Sequence, residues 1–179
     1  MLTFVIQLSY NFTMIVFDSS TLILLARVSI LELFVSDFNH RVLMSERVRL
    51  EVCSGEGEEI PLVVQLIENK KIEVLKAKDI TLIKKLIGDF NIDEGEAEAL
   101  TLALQEKAIL IATDDRNAIR ACKMLKLEFV TAIAILIRTF EKGLIDGDEA
   151  IIKLQKLKSI GRYSDAIIKN AAEQIKGGI

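Results

Sequence analysis

The chain has 179 residues, 51% of them hydrophobic and 27% charged, with a single proline. That length suits one domain with a sizeable core, and the composition excludes a disordered or low-complexity chain. A formal net charge of -3 advertises no general polyanion binder. The charge is uneven, however: residues 1–100 hold 10 basic and 16 acidic side chains, residues 101–179 hold 13 and 10. This permits a basic surface in the second half.

Residues 1–17, MLTFVIQLSYNFTMIVF, carry no charged side chain. They lack the basic leading segment of a signal, are interrupted by polar residues, and fall short of the ~20 apolar residues a membrane span requires. Residues 1–13 are read as an N-terminal extension with Met14 as an alternative start, and residues 14–179 as a single domain. No membrane association is expected. Cys53 and Cys122 stand alone, without paired spacing, so neither a disulfide framework nor a zinc site is expected and the reducing cytoplasm is the simplest setting. His40, the single histidine, is read as a solvent-edge loop residue rather than a ligand.

Apolar, β-branched runs bounded by charge recur as MIVF (14–17), RVLM (41–44), KIEVL (71–75), AILIA (108–112) and LEFVT (127–131). Segments with apolar spacings of three and four lie between them, such as Ile80, Ile83, Lys84 and Ile87, or Leu100, Ala103 and Leu104. Short strands alternating with amphipathic helices predict βαβ units and a parallel sheet covered on both faces. From Thr131 to Lys176 the pattern predicts three helices, separated near GLIDG and SIGRYS, forming a helical tail from about residue 141.

In open α/β sheets ligands bind beyond the carboxyl ends of the strands, where strand order reverses. The first strand ends at Asp18 and the fourth at Asp114 and Asp115. If those strands are neighbours, their carboxylates share one crevice. Each acid has a structural alternative, because Asp between a strand and a helix is a favoured N-cap. For Asp18 capping and function weigh equally, and Ser19 or Ser20 could cap instead. One aspartate of TDDRN suffices as a cap, so the second needs another reason.

Asp93 and Glu96 have the spacing of a capping box. Glu96 also heads the row Glu96, Leu100, Ala103, which faces the sheet, so it is read as a site residue; Glu98 heads a row read as solvated. Ser45 starts a short helix on which Glu51, by spacing alone, pairs with Arg47. Asp18, Glu96 and Asp115, with Glu51 as a further member, would form a cluster that either raises its own pKa values or recruits a cation. Oxygen-only ligands select a hard ion such as Mg²⁺ or Mn²⁺, which suits phosphodiester hydrolysis. Arg116, Arg120 and Lys123 form a basic stripe, read as phosphate contact for the arginines and as a solvated face for Lys123.

MIVFDSS, VRLEV, DEGEAEALTLAL and ILIATDDRNAIRA, in that order, resemble the PIN-domain nucleases, particularly the prokaryotic branch related to toxins of toxin-antitoxin pairs, over about residues 14 to 140. The resemblance implies a three-layer α/β/α fold with a mainly parallel five-stranded sheet and a helical C-terminal tail. It implies Asp18, Glu51, Glu96 and Asp115 as the metal-binding and catalytic acids, with Asp114 as a substitute for Asp115; the spacing of the basic stripe, not the resemblance, gives Arg116 and Arg120 to substrate phosphate. The implied activity is an Mg²⁺- or Mn²⁺-dependent endoribonuclease acting on single-stranded RNA. A homodimer and a small antitoxin protein that covers the site are the implied partners. Residues 1–13 and Asn117, near where some members carry a further acid, depart from the pattern. A catalytically silent PIN-fold interaction or regulatory module is the alternative. A haloacid-dehalogenase-like phosphatase would need a second Asp where Ser20 stands, and a receiver domain would need a lysine that LEFVTAIAI does not supply.

Overall fold

The computed structural model describes residues 14–54, 56–108 and 110–177. The extension 1–13, and with it the choice of start, lies outside the described residues. Five strands, β1 (Met14–Phe17), β2 (Arg41–Ser45), β3 (Glu73–Leu75), β4 (Leu110–Ala112) and β5 (Glu128–Val130), form one sheet in the order β3-β2-β1-β4-β5. Every pairing is parallel. All five apolar runs are therefore strands, although β3 begins two residues later than its run. The turn that follows left-handed Lys70 carries Lys71 and Ile72, and Ile72 is buried without being paired.

Central strands of a parallel sheet are covered on both faces, which explains why their runs are continuously apolar rather than alternating. Ile15, Val16 and Phe17 of β1 are fully buried, as are Leu110 and Ala112 of β4. The edge strand β3 is only half-buried, and a two-pronged Arg41–Glu73 ion pair, at 2.9 and 2.7 Å, crosses from β2 to its first residue.

The connecting segments are the helices α1 (Ser19–Arg27), α2 (Leu31–Asp37), α3 (Glu46–Cys53), α4 (Ile60–Glu68), α5 (Ile80–Phe90), α6 (Glu94–Gln105) and α7 (Arg116–Leu125). The tail adds α8 (Ala132–Glu141), α9 (Gly147–Ile160) and α10 (Asp165–Gly177). Helix α6 packs across β1, β2 and β4 and against α3, α5 and α7; α8 packs on α1 and α2, and α9 and α10 pack on α8. The result is the three-layer α/β/α arrangement. On α5 the buried residues are Ile83 and Leu86, and Ile80 is exposed at the first turn, so the inward face is rotated from the expected row.

Among the described residues no single helix is long and apolar enough to cross a membrane. Helices α1 and α2 reach that hydropathy only jointly, are bent by 107°, and bury Leu22, Leu25, Leu31 and Phe34 in the core.

Candidate active site

The strand order reverses between β1 and β4: Phe17 is level with Ala112, and the Asp18 amide donates to the Ala112 carbonyl at 3.0 Å. Asp18 and Thr113 thus emerge side by side at the carboxyl edge of the sheet. Asp18 is a buried cap at that edge. Its carboxylate accepts the Thr21 amide at 2.8 Å as N-cap of α1, and the Ser20 hydroxyl donates to its two oxygens at 3.1 and 3.2 Å. Ser20 therefore supports the cap instead of supplying it. Asp18 is 1% exposed, and burial, with Asp114 adding repulsion, pushes its carboxyl up to about 6 against hydrogen bonds from Thr113 and Thr21 that favour the ion.

The adjacent aspartates divide two tasks. Asp115 caps α7, one oxygen taking the Asn117 and Ala118 amides at 2.7 and 2.8 Å. Asp114 is a tertiary brace: it accepts from the Thr21 hydroxyl at 2.8 Å, the Ala132 amide at 2.9 Å and the Tyr163 hydroxyl at 2.7 Å. Those donors belong to α1, α8 and the loop between α9 and α10. Desolvation raises the pKa of Asp114, and the same burial beside Asp114 raises that of Tyr163.

The Asp93–Glu96 capping box forms, with the Glu96 amide donating to Asp93 at 2.8 Å and the Asp93 amide to Glu96 Oε2 at 3.0 Å. Glu96 Oε1 takes no hydrogen bond among the described residues. Glu96 is half-buried, and burial followed by the negative charges of Asp93, Asp115 and Asp18 pushes it up to about 7, against the favourable Asp93 amide. Asp18 and Asp115, on two further elements, thus stand near enough to Glu96 to raise its pKa. Glu51 lies at the margin: it pairs with Arg47 at 3.2 Å, and its carboxylate covers Gly95, where a Cβ would stand 2.4 Å from Glu51 Oε2. Glu98, expected in solvent, is half-buried and accepts the Arg47 amide at 3.2 Å, because α3 packs on α6 there.

A crevice of about 380 Å³ is lined by Ser20, Glu96, Asp114, Asp115, Arg162 and Tyr163, among others; Asp18 lies behind Ser20 and does not line it. Arg27 also borders it but is held by Glu59 at 2.9 Å. Arg116 is exposed beside a neighbouring groove. Arg120 turns away, donating to the Phe90 carbonyl at 3.2 Å, and Lys123 sits 5.8 Å from the Phe129 ring centre.

Thr21, Thr113, Arg162 and Tyr163 belong to this site without having been singled out in the sequence. Thr113 heads TDDRN and could have been noticed; nothing near SIGRYS signals a contact with Asp114.

The family model that matches residues 14–176 is described as a PIN domain, and the chain belongs to that family. The fold is of nuclease type. No curated protein and no solved structure matches the chain.

A family of this kind implies a divalent metal, and the acids can be tested against one. Among the described residues no three acid, histidine or cysteine side chains converge closely enough to hold an ion as they are placed. Their chemistry nevertheless fits. Among the described residues none of Asp18, Glu96, Asp114 and Asp115 is paired with a lysine or arginine, so the charge on Asp18 and Glu96 is uncompensated where burial makes it costly. A hard cation is the partner that oxygen-only donors lack. The caps engage single oxygens of Glu96 and Asp115, and the second oxygen of each takes no hydrogen bond among the described residues.

Proposed function

We propose that the chain is an Mg²⁺- or Mn²⁺-dependent endoribonuclease whose ion is held by Asp18, Glu96 and Asp115. The observation that carries this reading is the set of uncompensated carboxylates near the β1/β4 reversal, two of them pushed up to about 6 and about 7 by burial and by repulsion from neighbouring carboxylates. Glu51, released from Arg47, orients the ion or its water from the margin. Asp114, with three donors already on it, braces the site and substitutes for Asp115 only if Tyr163 lets go.

An acidic crevice repels a phosphodiester, so phosphate approaches only when the carboxylates are neutralised. The ion, when bound, supplies Lewis-acid polarisation of the phosphoryl oxygen, a more acidic water and stabilisation of the leaving oxygen. Arg116 steadies the incoming phosphate from the rim, and Arg120 contributes only after leaving the Phe90 carbonyl. The same reading makes the chain the toxin of a toxin-antitoxin pair in the cytoplasm, homodimeric and covered by a small antitoxin protein.

The test is cleavage of labelled single-stranded RNA by the purified protein, with and without Mn²⁺, beside Asp18→Asn. Metal-dependent cleavage that the variant loses is expected. No cleavage by either protein overturns the enzyme in favour of an interaction module that uses the same crevice for binding.

A further inference from the structure

Two cavities meet at the loop between α9 and α10. The acidic crevice shares Asp114, Arg162 and Tyr163 with a second groove of about 460 Å³ between α8 and α10. That volume falls within the roughly 300–1,000 Å³ of ligand-sized pockets. The groove is floored by apolar side chains, among them Ile119, Ile133, Ile137 and Ile167, and Arg116 and Arg162 line it. Both arginines are exposed, and neither is paired with a carboxylate among the described residues. Arg138, also in the lining, is by contrast taken by Glu141 at 3.1 Å.

Resting on the nuclease reading, we propose that this groove takes the nucleotides flanking the scissile phosphate of single-stranded RNA, with Arg162 binding a backbone phosphate at the junction of the two cavities. The chemistry of the lining decides the occupant. Apolar surface takes the faces of unpaired bases, and guanidinium groups donate to the phosphates between them. Continuity supports the same choice, since a strand with one phosphate at the acids leaves the crevice past Arg162 and Tyr163 directly into the groove. The Tyr163–Asp114 hydrogen bond anchors the loop one residue from Arg162. The C-terminal tail thus supplies a substrate contact.

The test measures binding, separately from cleavage, in the Asp18→Asn background. A fluorescein-labelled RNA strand of about ten nucleotides, within the site sizes of single-strand binders, is titrated over a range of KCl concentrations. Arg162→Ala, a change at an exposed position, is expected to weaken binding about tenfold and to lower the slope of log K against log salt by about 0.7, one phosphate contact on a single strand. Arg162→Lys is expected to keep the slope. An abasic strand of the same length is expected to keep the slope and bind more weakly, because base contact with the apolar floor is lost.

Unchanged affinity and slope in Arg162→Ala overturn the proposal, all the more if an acidic amphipathic helical peptide then binds the groove in an Arg162-dependent way. Mn²⁺-dependent cleavage by the wild-type chain with Arg162-independent binding would remove the groove and leave the nuclease. Arg162-dependent binding without any cleavage would keep the groove and remove the nuclease.

Discussion

Asp18 shows how one side chain serves two ends. Its first-turn hydrogen bond to Thr21 organises α1, while its burial makes the ionised form costly. An acid with a raised pKa binds its proton more tightly in the folded chain than in the unfolded one. Its stability contribution is therefore complete below the unfolded value, 3.8 for Asp18 and 4.5 for Glu96, and is lost as pH rises through about 6 and about 7. Asp18→Asn keeps a capping oxygen and removes the charge, so at pH 8 without divalent ions it should melt above the wild type, by on the order of 2 kcal/mol. Melts repeated near pH 4 should show that gain vanish; a gain that persists there contradicts the assignment. Tyr163→Phe tests the brace instead. It withdraws one donor from half-buried Asp114 and should cost about 1 kcal/mol in urea denaturation.

Helix α7 separates structure from chemistry more sharply than any other element here. Asp115 closes its first turn with two amide hydrogen bonds, a role Asn fills almost equally well. Asp115→Asn should unfold at nearly the wild-type urea concentration, whereas Asp115→Ala should lose about 1 kcal/mol. Both should lose metal-dependent cleavage if the carboxylate holds the ion. An Asp115→Asn protein that cleaves RNA normally would reduce Asp115 to a cap. Helix α6 is built on the same principle: its capping box points Glu96 at the crevice by engaging one carboxylate oxygen and sparing the other.

The molecule as a whole assembles the site through strand order. Only because β1 and β4 are neighbours do Asp18, Asp114 and Asp115 share an edge, and only because α8 docks on α1 and α2 does the tail bring Tyr163 and Arg162 over it. Ion binding to this folded arrangement must raise the melting temperature, with a gain near 2.7 kcal/mol expected at about 100 times Kd. The rise with Mg²⁺ or Mn²⁺ should be large at pH 8 and small at pH 5, where protons occupy Asp18 and Glu96. Scanning fluorimetry at both pH values checks this. A flat response at pH 8 up to tens of millimolar ion would sink the metal site.

The amino-acid sequence by itself determined the elements that short-range physics controls. Continuous apolar runs became strands because each is covered on both faces, the spacing of three and four became helices, and Asp93 with Glu96 became a capping box because both partners lie within one turn. The five strands, the three tail helices, the Arg47–Glu51 pair and the parallel sheet were legible on that basis. Local pattern was silent wherever the partner is distant. Thr21 meets Asp114 across 93 positions and Tyr163 meets it across 49, so no spacing marks either residue. The same limit left open which aspartate of TDDRN is the cap, and made Glu98 look solvated when α3 in fact packs beside it. Which acid caps and which braces depends on the amides and hydroxyls that folding delivers to it, and non-local packing alone decides that delivery.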